Sequence, residues 1–462
     1  MNPVYMPLRR LSDSIRSREA SPVELAETFL QRLGKHGPAL NAVVTLTKER
    51  AMKQAKKAEE EIKKGKARGL LHGVPWGGKD LLATAGTPTT WGAAPFKDQV
   101  FDYDATVVEK LEDAGAVLLA KLAMIELAGG MGYRQPNASF TGPCATPWSL
   151  GHWSGGSSSG SGAAVAAGLV PFAIGSETWG SILSPANNCG VAGLRPTYGR
   201  VSRRGAMALS WTLDKLGPLC LTADCCGIVL EAIAGPDPMD QTTSKRLYRY
   251  TLKRDGLRVA VPKGVTDGVA ESVSKNFDEA MREVEKFAEV EEIDFPEFPY
   301  EAVTRTILNA EAASAFDEFT ARGLARGLTA PECRYGPYAR TAVLATDYLR
   351  ALRLRERMAR IVEDVMETFD AVAAPSRATT VPEIDKEFRK ATPGTARDIM
   401  GALGNGAGLP AISVPSGFDG EGLPTGIQFM GRAYDENAVL SVAVAYQSRT
   451  RWHTMHPDRF TQ

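Results

Sequence analysis

WSGGSSSGSGAAVAAG, residues 153–168, decides how the rest of the chain is read. A flexible linker would be followed by a change of composition, whereas here the small residues run on with helical spacing and straight into the apolar stretch LVPFAIG. Small side chains let backbones pack closely. A glycine-serine turn that feeds a helix start gathers amides and hydroxyls in one place, so this stretch reads as a site and its alanine run as scaffold.

Working outward, the 462 residues are 44% apolar, enough for a large core, and 54 Lys+Arg balance 54 Asp+Glu. Zero net charge gives no long-range field toward nucleic acid or an anionic membrane, so neither is expected as a partner. The start, MNPVYMPLRRLSDS, lacks a signal-peptide pattern and no run of eighteen apolar residues follows, which predicts a cytoplasmic protein. The six cysteines (144, 189, 220, 225, 226, 333) and five histidines (36, 72, 152, 453, 456) show no ligand spacing, so no metal is expected.

Ser21-Pro22-Val23-Glu24 predicts a capped helix start, a charged helix is expected over 47–65, and Asp104 is expected to cap the helix that runs toward Gly115. Strands are predicted at LVPFAIG, LRVAVP, AVAAP, AISVP and GIQFMG, with amphipathic helices near 268–288, 302–322 and 340–368. That alternation predicts an α/β fold, a single large domain with a mixed twisted sheet covered by helices on both faces. Within it, 1–68 reads as an N-terminal helical part, 69–235 as the catalytic core, 236–400 as variable substrate-shaping helices, and 401–462 as strands and a helix completing the sheet.

Two short motifs compete for the chemistry. Gly156 to Gly160 satisfies GxSxG, which would make Ser158 the nucleophile of an α/β-hydrolase, but that elbow follows a strand and CATPWSLGHW does not read as one. Its histidine would have to be His453 or His456. GVPWGGK at 73–79 begins like a phosphate loop, yet Asp80 stands where Ser or Thr should hold magnesium and Pro75 removes a backbone donor. A serine hydrolase with a lysine base uses more of the sequence: Lys79, in a glycine turn between apolar runs, could lose its proton on burial, and GSETWGSILSP at 175–185 presents Ser181 after small residues.

These stretches, together with LDKLGP (213–218) and GNGAGLPAISVPSGFDGEGLPTGIQFMG (404–431), occur in an order that resembles the amidase signature family from about residue 20 to 457, loosely over 240–400. The resemblance implies catalytic Ser181, a Ser157 in a cis peptide after Gly156 that shuttles protons, and Lys79 as base. It further implies an oxyanion hole of the backbone amides of Thr178, Trp179, Gly180 and Ser181. Met131 and Gly132 would line the acyl pocket, Asp80 and Ser158 would support the triad, and no metal or organic cofactor would be needed.

Two positions depart from the family pattern. Trp179 stands where glycine is usual, and Leu183 replaces an arginine that would pair with the acid, here Glu177, so loss of that charge pairing is expected. An indole beside the turn points to aryl amides, anilides, carbamates (urethanes) or esters, with a small-molecule amide or carbamate as the only partner besides a second copy of the chain in a homodimer. The alternatives are the glutaminase subunit of a tRNA-dependent amidotransferase and an esterase using Ser158.

Overall fold

The computed structural model describes residues 3–253, 255–388 and 398–461. Its strands are β1 Val43–Leu46, β2 Pro75–Lys79, β3 Val117–Leu122, β4 Ala145–Thr146, β5 Ser149–Trp153, β6 Phe172–Glu177, β7 Ala192–Arg195, β8 Lys215–Cys220, β9 Leu257–Pro262, β10 Ala288–Ile293, β11 Ala371–Pro375, β12 Ala411–Phe418 and β13 Pro424–Met430. Eleven form one sheet in the order β1-β3-β2-β6-β8-β7-β12-β13-β11-β9-β10. It is mixed: β3, β2 and β6 run parallel, β6 through β11 alternate as antiparallel neighbours, and β9 and β10 return to parallel. Helices flank this sheet, giving the single-domain α/β fold expected.

The central strands are buried along their whole length, so no polar face alternates with an apolar one. Ser21 caps the helix Pro22–Leu40, its hydroxyl accepting from the amides of Val23 and Glu24, and the charged helix spans Lys48–Lys63. Helices also form at Glu271–Val284, Tyr300–Ala315 and Ala345–Val365. The edge strand β10, AEVEEI, escapes an apolar-run reading because it is largely exposed and half acidic.

Three local expectations are corrected. Lys79 does not sit in a glycine turn; it ends β2, whose glycines let neighbours close in, a Cβ on Gly77 falling 2.5 Å from Leu122 Cδ1. Asp104 does not cap the helix Thr106–Asp113, because its carboxylate is taken by Arg50 (2.8 and 2.6 Å) and the amide of Ala85. CATPWSLGHW does contain strands, β4 and β5, paired as a separate antiparallel ribbon.

The alanine run forms the helix Ser159–Ala166, fully buried. Its smallness has a measurable reason: a Cβ on Gly160 would collide with the Ala42 carbonyl oxygen and lie 2.5 Å from the Ala123 nitrogen. Among the described residues, no helix is long and apolar enough to cross a membrane.

Candidate active site

Parallel neighbours β2 and β6 end side by side, Gly77 and Gly78 facing Ala173 and Ile174, so Lys79 and Ser176 emerge together at their carboxyl ends. Lys79 Nζ donates to Ser157 Oγ at 2.7 Å and to Ser176 Oγ at 2.9 Å. Both Lys79 and Ser157 are wholly buried. Burial pushes the Lys79 ammonium down to about 7, against the opposing pull of Asp214 and Glu177. A substantial share of the lysine is therefore neutral, and able to accept a proton, near neutrality. The Gly156–Ser157 peptide is cis, as the resemblance implied.

Ser158 works on the frame. Its Oγ donates to the Ser176 carbonyl (3.1 Å) and accepts from the Ser176 amide (3.2 Å), while its own amide donates to the Ser181 carbonyl. One residue, through its side chain and its backbone amide, thus ties the seat of Ser157 to both ends of the 176–181 turn. Gly175 permits it, since a Cβ there would come within 2.8 Å of Ser158 Oγ.

Glu177 explains how the turn survives without an arginine at 183. Its carboxylate accepts from the amides of Ile182 (2.8 Å) and Leu183 (3.0 Å), from Arg195 Nη1 (2.8 Å) and from Asn405 Nδ2 (3.1 Å), with Arg195 and Glu177 both fully buried. Burial would raise this carboxyl, but Arg195 and Lys215 overcome it and hold Glu177 at about 2. The expected loss of charge pairing is thus corrected: Arg195 at the end of β7 supplies the cation, and the Leu183 side chain joins an apolar cluster with Met358 and Leu403.

A cleft of about 250 Å³ opens in front of Ser181, with Gly132, Gly156, Thr178, Trp179 and Gly180 on its wall. Trp179 is held from two sides: its Nε1 donates to Asp398 Oδ2 at 2.7 Å, and the Arg305 guanidinium lies 5.1 Å over its ring. The cleft is also lined by Tyr133, Trp153 and Phe388, the last two stacked at 5.3 Å. Arg305, Arg340 and Arg377 also line the cleft, against Asp398 as the carboxylate among the described lining residues.

Two supporting residues lie elsewhere than expected. The Met131 side chain is buried in the main apolar core, not on the cleft wall. Asp80 pairs with Lys121 at 3.0 Å in a fully buried bridge and accepts from the amide and hydroxyl of Thr90, so it anchors the loop after β2 and touches neither serine. Sequence reasoning missed Ser176, Arg195 and Asp214, whose Oδ1 accepts from Thr178 Oγ1 at 2.6 Å. Asp214 lay inside the quoted LDKLGP, a signal that was available. Among the described residues, no group of three or more His, Cys, Asp or Glu is placed to hold a metal ion.

A buried lysine bonded to Ser157 and to the strand-end Ser176 thus lies behind the cleft that Ser181 lines. The amidase family model matches residues 24–440, and the chain belongs to that family of enzymes acting on C–N bonds. It is 36% identical to a glutamyl-tRNA(Gln) amidotransferase subunit of Carboxydothermus hydrogenoformans, over 98% of this chain and 99% of that one. The native peptide amidase of Stenotrophomonas maltophilia superposes with a TM-score of 0.84 at 30% identity, covering 99% of each chain. A structure described as a vestigial protein complex revealing the evolutionary origins of an s-triazine catabolic enzyme gives 0.87 at 29%, over 96% of this chain and 98% of that one.

The first of these relatives corrects the expected partners. A reading of no nucleic acid and only a small-molecule partner conflicts with whole-length similarity to one component of an enzyme named for a transfer RNA. Net charge describes the field of one chain alone, so it is no guide to the partners of a protein similar to one component of a larger enzyme.

Proposed function

We propose that the chain hydrolyses an amide through an acyl-enzyme on Ser181, with Ser157 as proton relay and Lys79 as base. The observation that carries this is the 2.7 Å bond from a fully buried Lys79, held near 7, to Ser157. Neutral Lys79 takes the Ser157 proton as Ser157 takes that of Ser181, and Ser181 Oγ bonds the carbonyl carbon. The oxyanion is held by the amides of the 178–181 turn, a contact worth about 3 to 4 kcal/mol per donor in a well-studied hydrolase. Collapse breaks the C–N bond, the amine leaves with a proton returned through Ser157, and water then releases the acid.

For the substrate, the cleft supports a small amide carrying a carboxylate, of which glutamine is the type. Arg305, Arg340 and Arg377 favour an anion, and Asp398 an ammonium. Hydrogen bonds to charged groups contribute about 1.5 to 3 kcal/mol, more than the roughly 0.5 to 1.5 kcal/mol of ring stacking. The similarity to the amidotransferase component supports the same choice. A second reading, hydrolysis of aryl amides, anilides or aryl carbamates and esters, is favoured by Trp179, Trp153 and Phe388 on the wall.

The test is a panel of glutamine, asparagine, anilides and aryl carbamates on the wild type and Ser181→Ala, with fluorophosphonate labelling mapped by mass spectrometry. Label on Ser181 and faster turnover of glutamine than of the uncharged anilides are expected. An adduct on Ser158 would overturn the nucleophile, and preference for the anilides would put the second reading first.

A further inference from the structure

The helix Tyr300–Ala315 faces the cleft with Arg305, Leu308 and Asn309. Glu311, on the same helix and almost fully buried, does not reach the cleft wall. Its carboxylate instead accepts four hydrogen bonds: from Ser210 Oγ at 2.5 Å, from the Thr212 amide at 2.9 Å, from Thr212 Oγ1 at 2.8 Å, and from Tyr348 OH at 2.9 Å. Three of the four come from the 210–212 turn, which lies about a hundred residues earlier in the chain.

That turn is itself wound round Asp214. The amides of Leu209 (2.7 Å) and Ser210 (2.9 Å) donate to Asp214 Oδ2, and Asp214 Oδ1 accepts from Thr178 Oγ1 at 2.6 Å. Thr178 is the first residue after β6 and opens the turn that ends in Ser181. An unbroken line of buried polar contacts thus runs from the substrate-facing helix to the turn: Glu311, Ser210, Asp214, Thr178. Each contact in such a line is hard to give up, because a buried group deprived of its partner incurs the full desolvation penalty.

We infer that Glu311 is a positioning residue that couples the substrate-facing helix to the aim of the 178–181 amides. This rests on the proposed role of those amides in holding the oxyanion. A substrate seated against Arg305, Leu308 and Asn309 fixes the helix, Glu311 transmits that fixed position to the 210–214 turn, and Asp214 holds Thr178 in register. A substrate too small to touch the helix gains nothing from the link. The coupling therefore appears in kcat, and it scales with how much of the substrate the helix contacts.

Glu311→Gln tests it, because the amide keeps the shape but loses the charge, its oxygen facing Ser210 Oγ and the Thr212 amide and its NH2 facing the hydroxyls of Thr212 and Tyr348, so every bond of the clamp is weakened. Kinetics are measured on glutamine and on acetamide, normalised to sites titrated with fluorophosphonate. We expect kcat for glutamine to fall about tenfold per titrated site, the ~1.4 kcal/mol of one charged hydrogen bond, with KM changed less than about threefold, an effect smaller than ~0.7 kcal/mol, and acetamide nearly unaffected. Tyr348→Phe, which removes a single donor, should shift the same ratio in the same direction and keeps the test open if Glu311→Gln folds poorly. Combined with Thr178→Val, which spares the backbone amide, Glu311→Gln should cost less than the sum of the two changes.

A purely structural clamp would lower the folded fraction and leave kcat per titrated site unchanged on both substrates, and that result overturns the inference. Strict additivity with Thr178→Val overturns it as well. Full activity in Ser181→Ala would instead strike the underlying reading of the nucleophile, so the two failures are separable.

Discussion

Lys79 and Arg305 both serve one cleft, and they are held by different physics. Lys79 ends a central strand with no exposed surface, its neighbours set by sheet register and by glycines that a single Cβ would disrupt. Arg305 stands on an outer helix with about half of its side chain in solvent, 3.7 Å from Glu301 and stacked on Trp179. On the proposed mechanism the reaction belongs to the strand ends, where close packing leaves little room for other side chains, and the choice of substrate to the helices, whose exposed faces accept many residue types.

The largest break in this comparison comes at its buried end. Lys79→Ala should lower kcat/KM by roughly 10⁴-fold, as loss of a triad member does in serine hydrolases, with circular dichroism unchanged. In the wild type the sign of the pH dependence follows from the depressed lysine. The base is the neutral form, so kcat/KM should rise about tenfold per unit below about 7 and level off above it. Asp214 and Glu177, the acids that act on Lys79, both hold its pKa up, so the neutral analogue of either should move the midpoint lower. A flat profile from pH 6 to 8 would remove Lys79 as base. The same shift acts on stability: the contribution of a neutral Lys79 is complete above its ordinary 10.5 and is lost as pH falls toward about 7.

The next effect contrasts a buried pair with an exposed one. Glu177→Gln strands the Arg195 charge in the core and should cost about 3 to 5 kcal/mol of stability. On the outer helices, Glu318→Gln removes a largely exposed partner of Arg322 and should cost less than about 0.5 kcal/mol. Urea denaturation of both variants measures the difference. Equal losses would mean that the turn is not held by its buried carboxylate.

This division also explains what could be read in advance. The contact of Lys79 with Ser157 and the place of Ser181 on the cleft were legible because their surroundings demand glycine, serine and alanine at fixed spacing, and such demands leave a pattern in one dimension. The strands from LVPFAIG to GIQFMG were legible as apolar runs. The pairing of Glu177 with Arg195 was not, since it joins β6 to β7 across the sheet and nothing local at 195 signals it. Asp80 was misassigned because adjacency to Lys79 in sequence put it on the opposite side of the strand end, toward Lys121. The helices at 300–315 and 345–365 were legible as helices, but their amphipathic period carries no mark of which residues meet a substrate.

The smallest effect tests whether the boundary between the two regions is sharp. Trp179 belongs to both: its backbone lies in the turn, while its ring packs against Asp398 and Arg305 of the outer wall. Trp179→Gly keeps the backbone donor and removes the ring, so the reaction should survive while selectivity changes. Stacking contributes about 0.5 to 1.5 kcal/mol beyond burial, which is a threefold to tenfold loss in kcat/KM for anilides. Small aliphatic amides, which do not reach the ring, should change less than about twofold, or ~0.4 kcal/mol. Glutamine offers an intermediate case, because loss of the ring releases Arg305 from its stacked position and Asp398 from the indole hydrogen bond. If these two groups bind the carboxylate and ammonium of the substrate, their release should raise KM and leave kcat nearly unchanged. Equal losses on all three substrates would mean that the ring holds the turn itself, and Trp179 would then belong wholly to the buried region.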